Sequence, residues 1–157
     1  MINYRAFIVG VKTTRLTLKE KKFLKKYKPW GVILFTRNIK NIKQTRELTS
    51  SIRKIFRNNK YPILIDQEGG RVSRLKNLIS FDNLTSEFFG KKFINNPKEF
   101  SPFYKLFIDK TSQLLKLIGV NINTSPVLDL RVKGSSNIIG DRSFSHNPTR
   151  LILGFFL

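Results

Sequence analysis

The chain has 157 residues, 40 % of them hydrophobic, with 14 phenylalanines and no cysteine. That is one domain's worth of chain with enough apolar mass for a sizeable core, which excludes a disordered polymer; without thiols it also excludes disulfides, thiolate metal sites and cysteine catalysis. The formal net charge of +20 asks for an anionic partner or a broad solvated surface; the basic residues scatter along runs such as "KEKKFLKKYK" and "IRKIFRNNK", no common nucleic-acid motif accompanies them, and no specific nucleic-acid partner is expected.

In chain order, "AFIVGV" (Ala6–Val11) reads as a short buried strand. Thr17 and Glu20 form a capping box ahead of "KKFLKKY", so a helix starts near Leu18. "GVILF" (Gly31–Phe35) is a second buried strand, and Asn41 with Gln44 signals another helix start. Leu48, Ile52, Ile55 and Phe56 follow at helical spacing, with basic residues on the other face. "PILID" (Pro62–Asp66) is the third strand. After a long polar-to-apolar stretch, a helix is expected from about Pro97, carrying Phe100, Phe103, Phe107, Leu114, Leu117 and Ile118 and closed by Gly119. "VNINTS" (Val120–Ser125) is a fourth strand running into "PVLDL", and "TRLILGFFL" reads as an apolar helix. The N-terminus "MINYRAFIVGVKTTRL" has no basic region followed by an apolar run, so no signal peptide is expected. No stretch approaches the roughly 20 apolar residues of a membrane span. A cytoplasmic location without a membrane partner is the expectation.

Alternating strands and helices, with strands apolar throughout, imply an α/β fold of βαβ units on a parallel sheet. Functional groups then belong at the carboxyl ends of the strands, in an open sheet or a barrel alike. Thr36, Arg37 and Asn38 follow the second strand there, Asp129 follows the fourth, and "DQEGGRVSR" (Asp66–Arg74) follows the third. Asp66 and Glu68 invite a two-carboxylate hydrolase reading. Gly69-Gly70 ends the strand, however, so the two acids need not share a face. A strand-end carboxylate also accepts paired hydrogen bonds from sugar hydroxyls, and Arg74 supplies a fork of donors for hydroxyl or carboxylate acceptors. The competing structural reading is an Asp/Glu–Arg network that only fastens the loop, and it weighs most on Glu68 and Arg71. The only histidine, His146, precedes Asn-Pro and reads as a loop or helix-start residue. One histidine and scattered acids make no metal site, and "GG" without a following Lys-Ser/Thr is no phosphate loop. "NIIGDRSF" (Asn137–Phe144) is a second polar cluster, in which Asp141 and Arg142 could be a mere surface ion pair.

Taken together, "GVILFTRNI", "IDQEGGRVSRL", "SPVLDL" and "NIIGDRSF" resemble, in order and spacing, the N-terminal half of family 3 glycoside hydrolases. The resemblance is to the bacterial β-N-acetylhexosaminidases that trim N-acetylglucosamine from cell-wall muropeptides, and it covers Met1 to Leu157. It implies a (β/α)8 barrel, a retaining mechanism through a covalent glycosyl-aspartate, and no cofactor or metal. By the same resemblance Asp66 and Arg74 grip sugar hydroxyls, Arg142 reaches into the same pocket, and Gly69-Gly70 turns the backbone beneath the sugar. The family's "KHFPGHG"-type stretch with its acid/base histidine, and the later Asp nucleophile, do not occur in this sequence, so no catalytic residue is assigned. A complete (β/α)8 barrel takes about 250 residues. The expectation is therefore one partial domain over residues 1–157, with about four βα units, inactive alone and prone to self-association through exposed half-barrel edges. The rival readings are another family 3 activity such as a β-glucosidase, a non-catalytic sugar-binding or interaction module, and a basic nucleic-acid-binding protein.

Overall fold

A computed structural model describes residues 3–134 and 136–156. Four strands, β1 (Arg5–Gly10), β2 (Pro29–Leu34), β3 (Ile63–Ile65) and β4 (Ile122–Asn123), form one sheet in the order β1-β2-β3-β4, every neighbouring pair parallel. The helices are α1 (Leu18–Tyr27), α2 (Ile42–Phe56), α3 (Ser86–Asn95), α4 (Pro97–Leu117) and α5 (Pro148–Phe156). The described residues thus form four parallel strands and five α-helices in the α/β pattern expected, half the strand count of a closed eight-stranded barrel.

The caps read from the sequence are present. The Thr17 hydroxyl accepts from the Glu20 amide at 3.2 Å and the Glu20 carboxylate accepts from the Thr17 amide at 2.8 Å. Glu20 also accepts from the Lys12 amide at 2.7 Å, which ties the β1–α1 connection to the first turn of the helix. Burial alone would raise its pKa, but hydrogen bonds from Thr17 and Lys12 and the Lys12 charge outweigh that and leave it lowered. Asn41 accepts from the Gln44 amide at 2.8 Å and opens α2. The helix from Pro97 runs to Leu117, as its periodicity predicts.

Two expectations need correction. The stretch before Pro97 contains α3, capped by the Thr85 hydroxyl accepting from the Phe88 amide at 3.0 Å. Its apolar residues come as adjacent pairs, Phe88-Phe89 and Phe93-Ile94, which mask the helical period. β4 is only two residues long rather than Val120–Ser125: its ladder pairs Ile122 with Leu64 and Asn123 with Ile65, and ends where β3 ends. The flanking amides of Asn121 and Thr124 still donate to Ile63 and Ile65 carbonyls.

The larger apolar cluster joins Leu24, Leu48, Ile52, Phe56, Leu115 and Ile118 of the helices and their ends to Val32, Leu34, Ile63 and Ile65 of the sheet. One face of the sheet therefore carries α1, α2 and α4. Neighbours in register point the same way in a parallel sheet, so Gly10, Ile33, Leu64 and Ile122 line the other face, and none of them belongs to either apolar cluster. Ile8, on that side too, is 45 % exposed. A second, aromatic cluster of Phe89, Phe100, Phe144 and Leu151 packs α3, α4 and α5 together.

The turn from α4 into β4 depends on Gly119, at φ +83°, where a Cβ would run into the Thr49 hydroxyl of α2. That hydroxyl donates to the Ile118 carbonyl at 2.9 Å and is buried. Gly119→Ala is expected to cost about 1–3 kcal/mol from the left-handed backbone alone, and more from the collision. Urea unfolding followed by circular dichroism measures it; an unchanged midpoint would mean that this turn is not held against α2.

Candidate functional site

At the carboxyl end of β3 the strand gives way to residues 66–75, and β4 supplies what the ladder no longer can. The Asn123 side chain accepts from the Gln67 amide at 2.9 Å and donates to the Gln67 carbonyl at 3.0 Å. The Gln67 side chain turns inward, 2 % exposed. Its carbonyl oxygen accepts from the Arg74 amide at 2.8 Å and the Leu75 amide at 3.1 Å, and its amide nitrogen meets the Ser73 hydroxyl at 3.1 Å. Between these anchors the chain loops out through Gly69 (φ +100°) and Gly70 (φ +54°). A Cβ on Gly69 would strike the Leu84 carbonyl, and one on Gly70 would come within 2.5 Å of the Thr85 methyl. The glycines therefore permit both the turn and its close seating under residues 81–85.

Asp66 and Glu68, on either side of Gln67, have different partners. Asp66 accepts from the Thr124 hydroxyl at 2.6 Å and meets an Arg74 terminal nitrogen at 3.4 Å. Glu68 takes both forks of Arg142, each at 2.8 Å, and its side chain is only 8 % exposed. That hydrogen bond is the chief reason the Arg142 pKa is raised; burial opposes it, and the charges of Glu68, Asp129 and Asp66 add to it. Arg142 thus lies within electrostatic reach of Asp66 while its forks are committed to Glu68. Arg71 donates to Asp141 at 2.8 Å and to the carbonyls of Asn137, Ile138 and Ile139 at 2.9, 2.6 and 3.0 Å. For Glu68 and Arg71 the fastening role is what the geometry displays. Asp141 and Arg142, adjacent in sequence, pair with different partners of the β3 loop rather than with each other.

The other strand-end residues divide in the same way. Asn38 is buried and donates to the Val11 and Thr13 carbonyls at 3.0 and 2.8 Å, so it fastens the end of β1 to the turn after β2. Arg37 and Arg74 both lie over the Phe35 ring, 4.5 and 5.5 Å from its centroid. The Asp129 carbonyl accepts from the Ser143 hydroxyl at 2.8 Å. His146 is exposed just before the Asn147 cap of α5. Gln67, Phe35, Asn123 and Thr124 were not singled out from sequence. The available signal for the last two was position, since Asn123 stands in register with Ile65 at the end of β3.

Chemically, the Asp66–Arg74 pair differs from its neighbours. Each side chain is about one-quarter exposed, their contact is loose, and Arg74 Nε is buried with no hydrogen-bond partner. An acceptor and an under-used fork of donors stand side by side at the strand end. A separate cavity of about 240 Å³, lined by Gln67, Glu68, Phe89, Phe107, Thr111 and Asn123 among others, lies toward α4 and includes none of Asp66, Arg74 or Arg142. Among the described residues, no three His, Asp or Glu gather where a metal ion could bind.

Because Arg71 spans three carbonyls and a carboxylate, Arg71→Ala is expected to loosen residues 137–143. Hydrogen exchange should accelerate at the Arg142 and Ser143 amides, which bond to Ile139 and Gly140, while helix content stays constant. Arg71→Lys should not restore protection, since a single ammonium lacks the fork. Unchanged exchange in the alanine variant would remove the fastening role.

The chain as a whole resembles known proteins in sequence and in shape. A beta-hexosaminidase from Thioalkalivibrio sulfidiphilus is 33 % identical over 142 residues, covering 90 % of this chain and 40 % of that protein. One from Hydrogenovibrio crunogenus is 36 % identical over 141 residues, covering 90 % and 39 %. Among solved structures, native NagZ from Neisseria gonorrhoeae superposes with a TM-score of 0.78 at 29 % identity, over 98 % of this chain and 45 % of that one. The same protein has been solved with N-trifluoroacetyl-D-glucosamine. The chain thus spans about 40 % of the length of the curated relatives it matches. Residues 6–152 match the glycosyl hydrolase family 3 N-terminal domain, and the chain belongs to that family.

Proposed function

We propose that this chain forms the sugar-gripping part of a β-N-acetylhexosaminidase that removes terminal β-linked N-acetylglucosamine from cell-wall muropeptides in the cytoplasm. Asp66 and Arg74 are the hydroxyl-binding groups, and Arg142 lends its charge to the same end of the sheet. The observation that carries the reading is the loose 3.4 Å contact between Asp66 and Arg74, each about one-quarter exposed, beside the tighter Glu68–Arg142 and Arg71–Asp141 pairs. Vicinal sugar hydroxyls present donors to a carboxylate and acceptors to a guanidinium at one time. The names of the relatives support the sugar class. No residue of this chain is proposed as nucleophile or acid/base. Binding groups without groups that act in the transition state do not accelerate hydrolysis, so the chain alone should release no phenol from an aryl N-acetyl-β-glucosaminide.

Saturation-transfer NMR with N-acetylglucosamine tests the grip directly. The sugar should bind, and Asp66→Ala should weaken it. Hydrogen bonds to a charged group are worth about 1.5–3 kcal/mol each, or roughly 10–150-fold in affinity. Equal binding by both proteins, or none by the unaltered chain, would sink the assignment.

We also propose that a second copy of the chain covers the apolar sheet face lined by Ile8, Ile33 and Ile122. β1 and β4 are unpaired parallel edges, and a two-fold axis can set each β4 beside the partner's β1 so that eight strands close. Size-exclusion chromatography with light scattering should then return a dimer. A stable monomer across the accessible concentration range would be incompatible with this closure.

A further inference from the structure

The net charge of +20 is unevenly divided. Residues 1–60 carry 17 lysines and arginines against two acids, whereas residues 61–157 carry 13 against eight. The six ion pairs found among the described residues all lie between Asp66 and Arg142. None involves a cation of the first 60 residues. Sixteen of those 17 cations are exposed, Arg53 being the exception. Of the two acids there, Glu20 is occupied by the capping box, which leaves Glu47. Most of these exposed cations stand on α1, on α2 and on the connections around them, with no ion-pair partner among the described residues.

Helix-end electrostatics accounts for part of this. Lys25 and Lys26 close α1, and Arg53 and Lys54 close α2, where cations complement the helix dipole. The rest has no such cause. On α1, Lys21 with Lys25 and Lys22 with Lys26 repel each other at i,i+4 spacing. On α2, Lys43 and Arg46 are exposed beside Ser50, with only Glu47 to offset them. α1 packs beside α2, so their exposed side chains stand on adjoining helices.

We propose that this α1–α2 surface binds the phosphate backbone of a nucleic-acid duplex, without sequence preference. A regular polyanion supplies counter-charges over the span of two helices and gains by releasing its condensed cations. Lysine outnumbers arginine here by eleven to six, which suits point-charge contacts to phosphates rather than forked readout of base edges. A bilayer is the poorer fit, because interfacial helices need a continuous outward apolar stripe. On α2 the exposed positions are Ile42, Lys43, Arg46, Glu47, Ser50 and Lys54, and on α1 Leu18 and Phe23 stand among Lys19, Lys21, Lys22, Lys25 and Lys26, so no continuous apolar stripe faces outward. The site goes beyond the sugar-binding reading and does not depend on it.

Fluorescence anisotropy against two unrelated duplexes of about 20 base pairs, at salt from about 50 to 200 mM, tests it with two charge-reversed proteins. One carries Lys21→Glu, Lys22→Glu, Lys43→Glu and Arg46→Glu. The other carries Lys98→Glu, Lys105→Glu, Lys110→Glu and Lys116→Glu on α4, all exposed positions, for the same change in net charge. The unaltered chain should bind both duplexes equally at low salt and release them as salt rises. The α1–α2 variant should lose at least about tenfold in affinity and show a shallower salt slope, by about one unit for each phosphate contact removed, while the α4 variant keeps its affinity. Equal losses in the two variants would show that net charge alone acts, and would overturn the site. So would no loss in either, or binding to phosphatidylglycerol vesicles but not to duplex.

Discussion

One buried amide organises the carboxyl end of the sheet. Gln67 is 2 % exposed, and its side-chain oxygen accepts two backbone amides eight and seven residues ahead, from Leu75 and Arg74. A glutamate in its place would bring a charge into a position without a counter-ion, at several kcal/mol; an apolar side chain would leave the Arg74 and Leu75 amides unsatisfied, at about 1–3 kcal/mol each. The neutral amide avoids both costs. Its own backbone is held by the Asn123 side chain, which imitates one further rung of the β3–β4 ladder after the strands have stopped. The loop between Gln67 and Arg74 is consequently closed at both ends, and the Arg74 side chain returns to Asp66 from a fixed point.

The same sheet has two unlike faces. Parallel sheets are ordinarily covered on both sides, and here Val32, Leu34, Ile63 and Ile65 pack under helices while Ile33, Leu64 and Ile122 do not join either apolar cluster. Helices on one face only are what a barrel wall requires, where the other face is an interior filled by side chains from across the barrel. The one-sided arrangement therefore follows from the family to which the chain belongs, and it explains why apolar strands such as "AFIVGV" coexist with exposure along β1.

The fold was legible wherever the sequence carried two agreeing signals. α1 had a capping box and a periodic face; α4 had Pro97 at its start and Gly119 past its end. α3 carried a cap at Thr85 but adjacent apolar pairs in place of a stripe, and its partners, Phe144 and Leu151, are far along the chain. The candidate site was legible as a location, because the charged residues follow a buried strand at its carboxyl end. Roles within it were not. Which acid meets which arginine depends on loop geometry: Asp66 pairs with Arg74, yet Glu68 reaches across to Arg142, and Arg71 to Asp141. Gln67 escaped notice because a lone glutamine has no pattern; its meaning lies in the amides it receives.

The two carboxylates of the loop are separated by what their partners can give up. Glu68 is nearly enclosed and doubly bonded to Arg142, and removing Arg142 would leave the Glu68 charge uncompensated in a poorly hydrated position. No modest ligand displaces that contact, so it welds the β3 loop to the segment around residue 142. Asp66 meets Arg74 at 3.4 Å with both side chains partly in water, and pairs of that kind contribute about 0–1 kcal/mol. Water or a hydroxyl can intervene there at little cost. The rigid pair thus supplies the frame and the loose pair the adaptable contact. A site that must bind and release a polar ligand needs both, because a clamp already satisfied by its own partners has nothing left to offer.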